Sequence, residues 1–446
     1  MYFFSNFLLL ALFAAAAADV VLSVCRASAG PGRLGRAVRA LWQHEHYLFG
    51  GWGAAWREKA GGPLFAAGIA AYEISVCFCN SMAREVWPWA QGALAPLLDA
   101  LVCVCFGCKI LFGTRYTWRS LGLAGCLYFI ARWVFLNSQN IWWIGLVLAV
   151  MAAKDVPLAL PLKAFLVSGG ASMALVAALN FAGVISPGLV SERMGEYRPA
   201  YGYGHPNTFG GLLFGLVLAY AMLRAKKLRW GDIALIFAAG VFLLVGPASR
   251  SAALACLLLA LLLAVYRLRP AIFSGKVWPA LLAGLVPLIA AVSYLLPLPL
   301  IKIGPWNSDF GPYWLARLDA LLTNRLSLSW TAYRMFDVKI AGQVLLDWPP
   351  LDNSFVFSLY QFGPVVTVLW ALLLGAALYG LAKSGRLPEA FCLAVVLVYS
   401  FMEVQGFHLT TNPTALLLCG ALYALPRSQW PAPAGAKAPV NKAKRQ

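Results

Sequence analysis

The sequence predicts an all-α protein that crosses a membrane many times. Of its 446 residues, 61% are hydrophobic and only 12% are charged, a composition typical of integral membrane proteins. Apolar runs of about 17 to 25 residues, long enough to cross a hydrocarbon core as helices, recur along most of the chain. Backbone groups in lipid must bond within their own segment, so these runs are expected to be helical. The sequence therefore predicts about 12–14 transmembrane helices in one membrane domain, residues 1–425.

The predicted spans follow one another along the chain, and the one at 141–153 is the shortest. Their approximate bounds are 3–24, 63–80, 94–112, 120–136, 141–153, 164–186, 208–223, 231–246, 252–266, 277–296, 354–382, 388–404 and 412–425.

The basic residues predict the orientation of the spans, because short cytoplasmic loops accumulate Lys and Arg. With the N-terminus outside, about 24 of the 35 basic residues fall on the cytoplasmic side. Much of the net charge of +18 then reflects orientation, and no nucleic acid partner is expected. The cytoplasmic set includes Arg26, Arg33, Arg36, Arg39, Arg57, Arg115, Arg119, Arg224, Lys226, Lys227, Arg229, Arg267, Arg269, Lys276, Lys383, Arg386, Lys437, Lys442, Lys444 and Arg445.

The first apolar run and two segments outside the spans have distinct compositions. The first apolar run lacks a basic leading region, so it is expected to be a retained anchor. Residues 26–62 form a cytoplasmic loop in which arginines alternate with Leu and Trp, a pattern that fits either an amphipathic helix on the inner leaflet or a solvated basic loop. Residues 426–446 are predicted to be a flexible basic cytoplasmic tail.

The ten cysteines fall almost entirely within predicted spans, which argues against a disulfide framework. Cys103, Cys105 and Cys108 have a spacing that would suit a metal, but small apolar packing residues are the favoured interpretation on a helix in lipid.

Two predicted outer loops, residues 187–207 and 297–353, are longer than a simple connection needs, and long ordered loops are usually functional. They retain arginines where this topology should deplete them, which favours an anionic ligand. Guanidinium groups match phosphate oxygens in pairs, so a cluster of them would hold the diphosphate headgroup of a lipid-linked sugar carrier. For each arginine alone, a snorkelling side chain or an ion pair with Glu192, Glu196 or Asp319 is an equally good interpretation.

The junction Arg198 to Asn207 joins one apolar run to the next and contains glycines, His205 and Pro206. Glycines let the backbone approach a ligand closely, and Asn207 or Thr208 can cap the following helix, whose N-terminus would attract an anion. A plain junction between loop and helix remains the alternative.

Four motifs resemble the O-antigen polymerase and ligase superfamily, and most closely its Wzy-type polysaccharide polymerases. The resemblance covers the second half of the chain in ordered motifs and implies a fold like the C-type membrane glycosyltransferases, with short helices in loop 297–353. The motifs are RPAYGYGHPNTFG at 198–210, ASRS at 248–251, LDALLTNRLSLSW at 318–330 and LDNSFVFSLYQFGPV at 351–365.

The resemblance implies an inverting glycosyltransferase that joins oligosaccharide repeat units carried on undecaprenyl diphosphate. It would act at the outer face of a bacterial cytoplasmic membrane on a growing polysaccharide, with a chain-length regulator or flippase as a further partner. Transfer is expected to need neither a cofactor nor a metal ion, because arginines neutralise the diphosphate.

The resemblance also assigns residues to this reaction. Related ligases carry a histidine before Asn in the last motif, and Asp352 stands there in this chain, which favours the polymerase branch. Asp352 is the leading candidate for the catalytic base and His205 the second. The diphosphate and its sugar are assigned to Arg198, Arg250, Arg325 and Arg193, with Asn207 and Asn353 beside them.

Two other functions are compatible with the same sequence. A ligase would move the lipid-linked glycan to a different acceptor. A transporter or flippase would use ionisable groups within the spans, and Glu73, Asp99, Arg132 and Glu403 could form such a polar pathway. Pairing between helices, for example of Arg132 with Glu73 or Asp99, is the simpler interpretation of these groups.

Overall fold

The structure is a computed structural model that describes residues 45–48, 54–188, 191–193, 196–300, 312–345 and 350–423. The predicted span 3–24, most of the amphipathic segment within 26–62 and the tail 426–446 lie outside these residues.

The described chain is helical apart from two short antiparallel strand pairs. In these pairs β1 (His46–Tyr47) pairs with β2 (Arg115–Tyr116), and β3 (Ser191–Arg193) pairs with β4 (Glu196–Arg198). The α-helices are α1 Ala54–Ile74, α2 Ala83–Val86, α3 Ala95–Phe112, α4 Trp118–Ser138, α5 Ile141–Ala152, α6 Ala159–Phe181, α7 Pro206–Arg224, α8 Trp230–Val245, α9 Arg250–Leu268, α10 Trp278–Leu295, α11 Tyr313–Leu321, α12 Arg325–Met335, α13 Ser354–Gln361, α14 Gly363–Lys383, α15 Leu387–Met402 and α16 Leu418–Leu422.

Eight helices of the described chain are long and apolar enough to cross a membrane. The prediction of an all-α protein that passes the membrane several times is therefore confirmed. Four further apolar helices are shorter, at Ile141–Ala152, Trp230–Val245, Leu387–Met402 and Pro413–Leu422. The eight longer ones are Lys59–Cys79, Ala90–Phe112, Trp118–Ser138, Ala159–Phe181, Pro206–Lys227, Arg250–Leu268, Trp278–Leu295 and Gly363–Lys383.

The predicted single span 354–382 is wrong, because the structure divides it into α13 and α14. Gly363 at the break has φ +86°, a left-handed conformation that side chains rarely adopt. A Cβ there would also meet the backbone oxygens of Lys339 and Ile340. Close approach of this backbone segment therefore requires both the glycine and the bend, and an apolar pattern alone does not reveal either.

Loop 297–353 contains two short helices, α11 and α12, as expected from the resemblance. The first of these helices, α11, carries apolar side chains on more than one side. Leu315 is buried against Leu300 and Leu326, whereas Tyr313 and Trp314 on another side of α11 are exposed. Two faces of α11 therefore carry apolar side chains, one packed on the protein and one open.

The centre of the bundle is formed by α7 and α15. Among the eight longer spans α7 is the most enclosed, since 61% of an 18-residue apolar stretch of it is buried in the protein. The corresponding share for α10 is only 17%. In α15, Val398 and Phe401 are the only residues that are not fully buried. Helices in this position meet neighbours on all sides, so their ends can hold polar groups away from lipid.

After α15 the chain is irregular through the core. Short 3-10 turns at Val404–Phe407 and Pro413–Leu417 flank residues 408–412, which are not helical. This segment packs on glycines of α7, since a Cβ on Gly211 would meet the Gln405 side chain and one on Gly215 would meet the Thr410 carbonyl oxygen. Irregular backbone at such depth is tolerated only inside protein, and the glycines supply the room.

We predict that Gly215→Ala destabilises the protein by about 1–3 kcal/mol or more, because the added methyl collides with backbone. A lower Tm of the purified protein in detergent would measure this effect. Gly284→Ala is the matched control in another span, where nothing lies within 4 Å of an added Cβ. Equal Tm values for the two variants would contradict the packing described for residues 403–417.

Candidate functional site

Four helices begin at one end of the bundle, and their first residues converge on the end of a fifth. Asn207, Ser251, Arg325 and Ser354 lie in the first turns of α7, α9, α12 and α13, and Glu403 directly follows α15. Helix N-termini carry partial positive charge and unpaired backbone N–H groups. The site is therefore electropositive before any side chain is counted.

Glu403 is the common partner of these helix ends. Its Oε1 accepts hydrogen bonds from Arg325 Nη2 at 2.6 Å, Ser251 Oγ at 2.6 Å and Asn207 Nδ2 at 3.1 Å. Its backbone oxygen accepts from Ser354 Oγ at 2.6 Å. The buried carboxylate of Glu403 thus joins α7, α9 and α12 at the end of α15, and its backbone oxygen joins α13.

Asn207 extends this network to Arg198. The Asn207 amide donates to Glu403 through Nδ2 and accepts from Arg198 Nη2 through Oδ1 at 2.8 Å. Arg198 is buried, at the end of β4. The Asn207 amide therefore links the Arg198 guanidinium to the Glu403 carboxylate, which do not contact each other directly.

Arg325 contacts two carboxylates at once. Its Nε donates to Asp352 Oδ2 at 3.1 Å, while its Nη2 holds Glu403. The Asp352 side chain is 35% exposed and that of Glu403 only 5%. Among the described residues, Asp352 Oδ1 makes no hydrogen bond, so Asp352 is the carboxylate that a substrate could reach.

Asp319 fixes the position of Arg325. It is buried, and its Oδ1 accepts from the backbone N–H groups of Leu326 at 2.9 Å and Ser327 at 3.2 Å. These are the unpaired donors in the first turn of α12 that need a cap. The carboxylate therefore anchors the helix that begins with Arg325, whereas the sequence had offered Asp319 as an ion-pair partner of the arginines.

Asn353 caps a helix within the site. Its Oδ1 caps α13 by accepting from the N–H groups of Phe355 and Val356, at 2.9 and 3.1 Å. Its Nδ2 donates to Ser293 Oγ at 2.9 Å. Because the side chain is buried, it orients the neighbouring Asp352 from within the protein.

His205 caps α7, since its Nδ1 accepts from the Asn207 backbone N–H at 3.1 Å. Nδ1 is therefore engaged in the helix cap and accepts no proton while this bond persists. His205 lies beside the network and holds Asn207.

Arg250 and Arg193 are less closely tied to the network. Arg250 is exposed at the start of α9, next to Ser251, which contacts Glu403. Arg193 has its backbone in β3, opposite Glu196, and its side chain lies outside the described part. Arg250 is therefore a neighbour of the cluster, while the role of Arg193 in the site stays a prediction.

Glu403 is buried at the end of the apolar helix α15, where the Arg325 guanidinium contacts it. Taking a carboxylate out of water costs several kcal/mol unless charge and hydrogen bonds offset it. The three side-chain donors around Oε1 provide that compensation.

The sequence placed Glu403 in a candidate polar pathway and not in the site. Glu73 and Asp99, two other members of that pathway, contact Cys77 Sγ at 3.7 Å and Ser75 Oγ at 2.9 Å, and neither contacts Glu403 in the described chain. The position of Glu403 at the very end of an apolar run was the one available signal. Its partners come from four other segments, so its role became visible only in three dimensions.

Comparison with protein-family models, curated proteins and solved structures found no match to this chain. Its function is therefore argued from the site itself.

Proposed function

We propose that this protein is a polysaccharide polymerase, an inverting membrane glycosyltransferase that joins repeat units carried on undecaprenyl diphosphate. The observation that carries the proposal is the continuous set of contacts that runs from Arg198 through Asn207, Glu403 and Arg325 to Asp352. Three of the sequence motifs and Glu403 supply these groups, and Asn207 and Glu403 are 196 residues apart in the sequence. They combine fixed cations with one accessible carboxylate, as transfer from a diphosphate requires.

The reaction that fits this arrangement has one proton transfer and one displacement. A hydroxyl of the acceptor glycan gives its proton to Asp352, and its oxygen forms a bond to the anomeric carbon of the donor from the face opposite the diphosphate. The bond from that carbon to the diphosphate oxygen breaks, and the electron pair leaves with undecaprenyl diphosphate. Attack from the opposite face inverts the anomeric configuration.

The arginines act on the leaving group in this proposal. Arg198, Arg250 and Arg325 would face the diphosphate, where negative charge grows as the bond breaks, and the converging helix N-termini add to the positive field. Arg325 has one nitrogen, Nη1, with no hydrogen bond among the described residues, while its other two donating nitrogens hold Asp352 and Glu403. It can thus contact a phosphate without leaving its carboxylates.

A metal ion is not required in this proposal. Two carboxylates close to each other would suit a divalent cation, but the Arg325 guanidinium lies between Asp352 and Glu403 and occupies that place. Arginine fills the cationic role that Mg²⁺ has in many other transferases of activated sugars or phosphates.

The proposed location is the outer face of a bacterial cytoplasmic membrane. The site lies where α7 and α9 begin, and basic residues lie at the opposite ends of the same helices, which supports a cytoplasmic position for those ends. The growing polysaccharide would then be made outside, with a chain-length regulator or flippase as a partner. The basic residues at the opposite ends of α7 and α9 include Arg224, Lys226, Lys227, Arg229, Arg267 and Arg269, and Arg386 precedes α15, whose other end is followed by Glu403.

We expect the purified protein in lipid nanodiscs to form polymer when it is given only the lipid-linked repeat unit, with a chelator present. Product length on a gel and the release of undecaprenyl diphosphate measure the reaction. A strict need for a second kind of acceptor would replace this proposal by the ligase function. Movement of labelled lipid across a bilayer without a new glycosidic bond would replace it by transport, and dependence on added Mg²⁺ or Mn²⁺ would overturn the metal-independent mechanism.

Asp352→Asn should reduce polymer formation on the order of 10² to 10⁴-fold, because the amide keeps the size of the side chain but cannot accept the proton. Initial rates at saturating donor measure the loss. Asp337→Asn, an exposed aspartate in the loop after α12, is the control and should keep the wild-type rate. Full activity in Asp352→Asn would transfer the role of base to His205 or to the substrate.

Arg250→Ala should leave the protein folded, since the side chain is exposed, and should lower the transfer rate by about 10² to 10³-fold, the usual loss on removing a preplaced charge contact. The exposed Arg334 at the far end of α12, changed to Ala, provides the matched control. If both variants turn over like the wild type, Arg250 does not belong to the diphosphate site.

A further inference from the structure

We infer that Glu403 is a positioning residue that fixes the Arg325 guanidinium and balances its charge, so that Asp352 stays free to accept the proton of the attacking hydroxyl. This inference rests on the proposed transferase function, and it assigns a role to a carboxylate that does not itself touch the substrate.

The first argument is geometric. Glu403 is 5% exposed and its Oε1 is surrounded by Arg325, Ser251 and Asn207, which belong to three different helices. Oε1 already accepts three hydrogen bonds and so is not available to a substrate hydroxyl, and the side chain as a whole has little exposed surface. Ser251 and Asn207 hold the Glu403 carboxylate in place. Movement of Arg325 would therefore break its hydrogen bond to a fixed partner, so Glu403 acts as an anchor for Arg325.

The second argument concerns charge. One guanidinium faces two carboxylates, so the attraction of Arg325 is divided between Asp352 and Glu403. If Glu403 carried no charge, Arg325 would be drawn to Asp352 alone, and the free electron pairs of Asp352 would be less available to a proton. The buried charge of Glu403 therefore protects the basic character of the exposed carboxylate.

The effect of Glu403 should depend on its charge. A proton on the Glu403 carboxyl removes the charge that holds Arg325, so protonation acts like the Glu403→Gln substitution. Transfer should accordingly decline as the pH falls and Glu403 gains a proton. The titratable or charged groups that face Glu403 are Arg325 from α12, Asp352 before α13 and Tyr399 of α15, with the neutral donors Asn207 of α7 and Ser251 of α9.

The test compares Glu403→Gln with Glu403→Asp in the full-length protein in nanodiscs. Glu403→Gln removes the charge at constant size and should lower kcat on the order of 10²-fold at pH 8, the effect of a small misplacement of a catalytic group. It should also change the dependence of the rate on pH, because the amide of Gln carries no charge to lose as the pH falls. Glu403→Asp keeps the charge and should restore the pH dependence together with part of the rate.

Two controls separate positioning from folding. Glu389→Gln removes a buried carboxylate at the start of the same helix, where Glu389 pairs with Arg386 at 3.2 Å, and it should keep the wild-type kcat. Arg325→Ala combined with Glu403→Gln should be no slower than Arg325→Ala alone, because Glu403 acts through Arg325. Equal losses in Glu389→Gln and Glu403→Gln, or additive losses in the double variant, would overturn the inference.

A second readout distinguishes failure of this inference from failure of the proposed function. Undecaprenyl diphosphate without a glycan should raise the Tm of the wild type in detergent, and should raise that of Glu403→Gln less. If the wild type neither forms polymer nor gains stability from the lipid, the proposed function and the inference both fail. If the wild type does both and Glu403→Gln matches it, only the role of Glu403 is wrong.

Discussion

The contact between Glu403 and Arg325 organises the end of the bundle where the site lies. A carboxylate buried this deeply is unfavourable unless its charge and its lone pairs are satisfied. Its partners therefore have to meet at one point, and each comes from the start of a different helix. Because α7, α9 and α12 must all place a donor there, this one interaction constrains their relative positions and sets Asp352 at the rim of the cluster.

Glu403 and Asp352 have the same functional group but different environments. Glu403 is enclosed by protein donors, whereas Asp352 shares only one oxygen with Arg325 and is one-third exposed. An enclosed carboxylate holds the groups that bond to it in place, and an exposed one is open to solvent. Asp319 has a third function, since it caps α12 and so fixes the position of Arg325, the first residue of that helix. Position relative to helix ends and solvent, and not residue type, gives each acid its role.

The surrounding membrane helices make this polar cluster possible. The chain after α15 leaves helical geometry, and its carbonyl groups would be unsatisfied in lipid. Packing against Gly211 and Gly215 of α7 places that segment inside the protein. There, buried side chains such as Thr411 and Asn412 bond to the local backbone, including the carbonyl oxygens of Gln405 and Gly406. The break in the helix at Glu403 and the close contact with α7 are parts of the same arrangement.

The sequence by itself determined that the chain is an all-helical membrane protein, because apolar length is a local property that survives without knowledge of the fold. It also identified Arg198, Asn207, Arg325 and Asp352, whose polarity next to apolar runs is visible in one dimension, and the tertiary structure joined these four in one network. Only the tertiary structure decided the break at Gly363, the capping role of His205 and the place of Glu403. The physical reason is that backbone clashes, shared hydrogen bonds and burial depend on segments that are up to about two hundred residues apart, as Asn207 and Glu403 are.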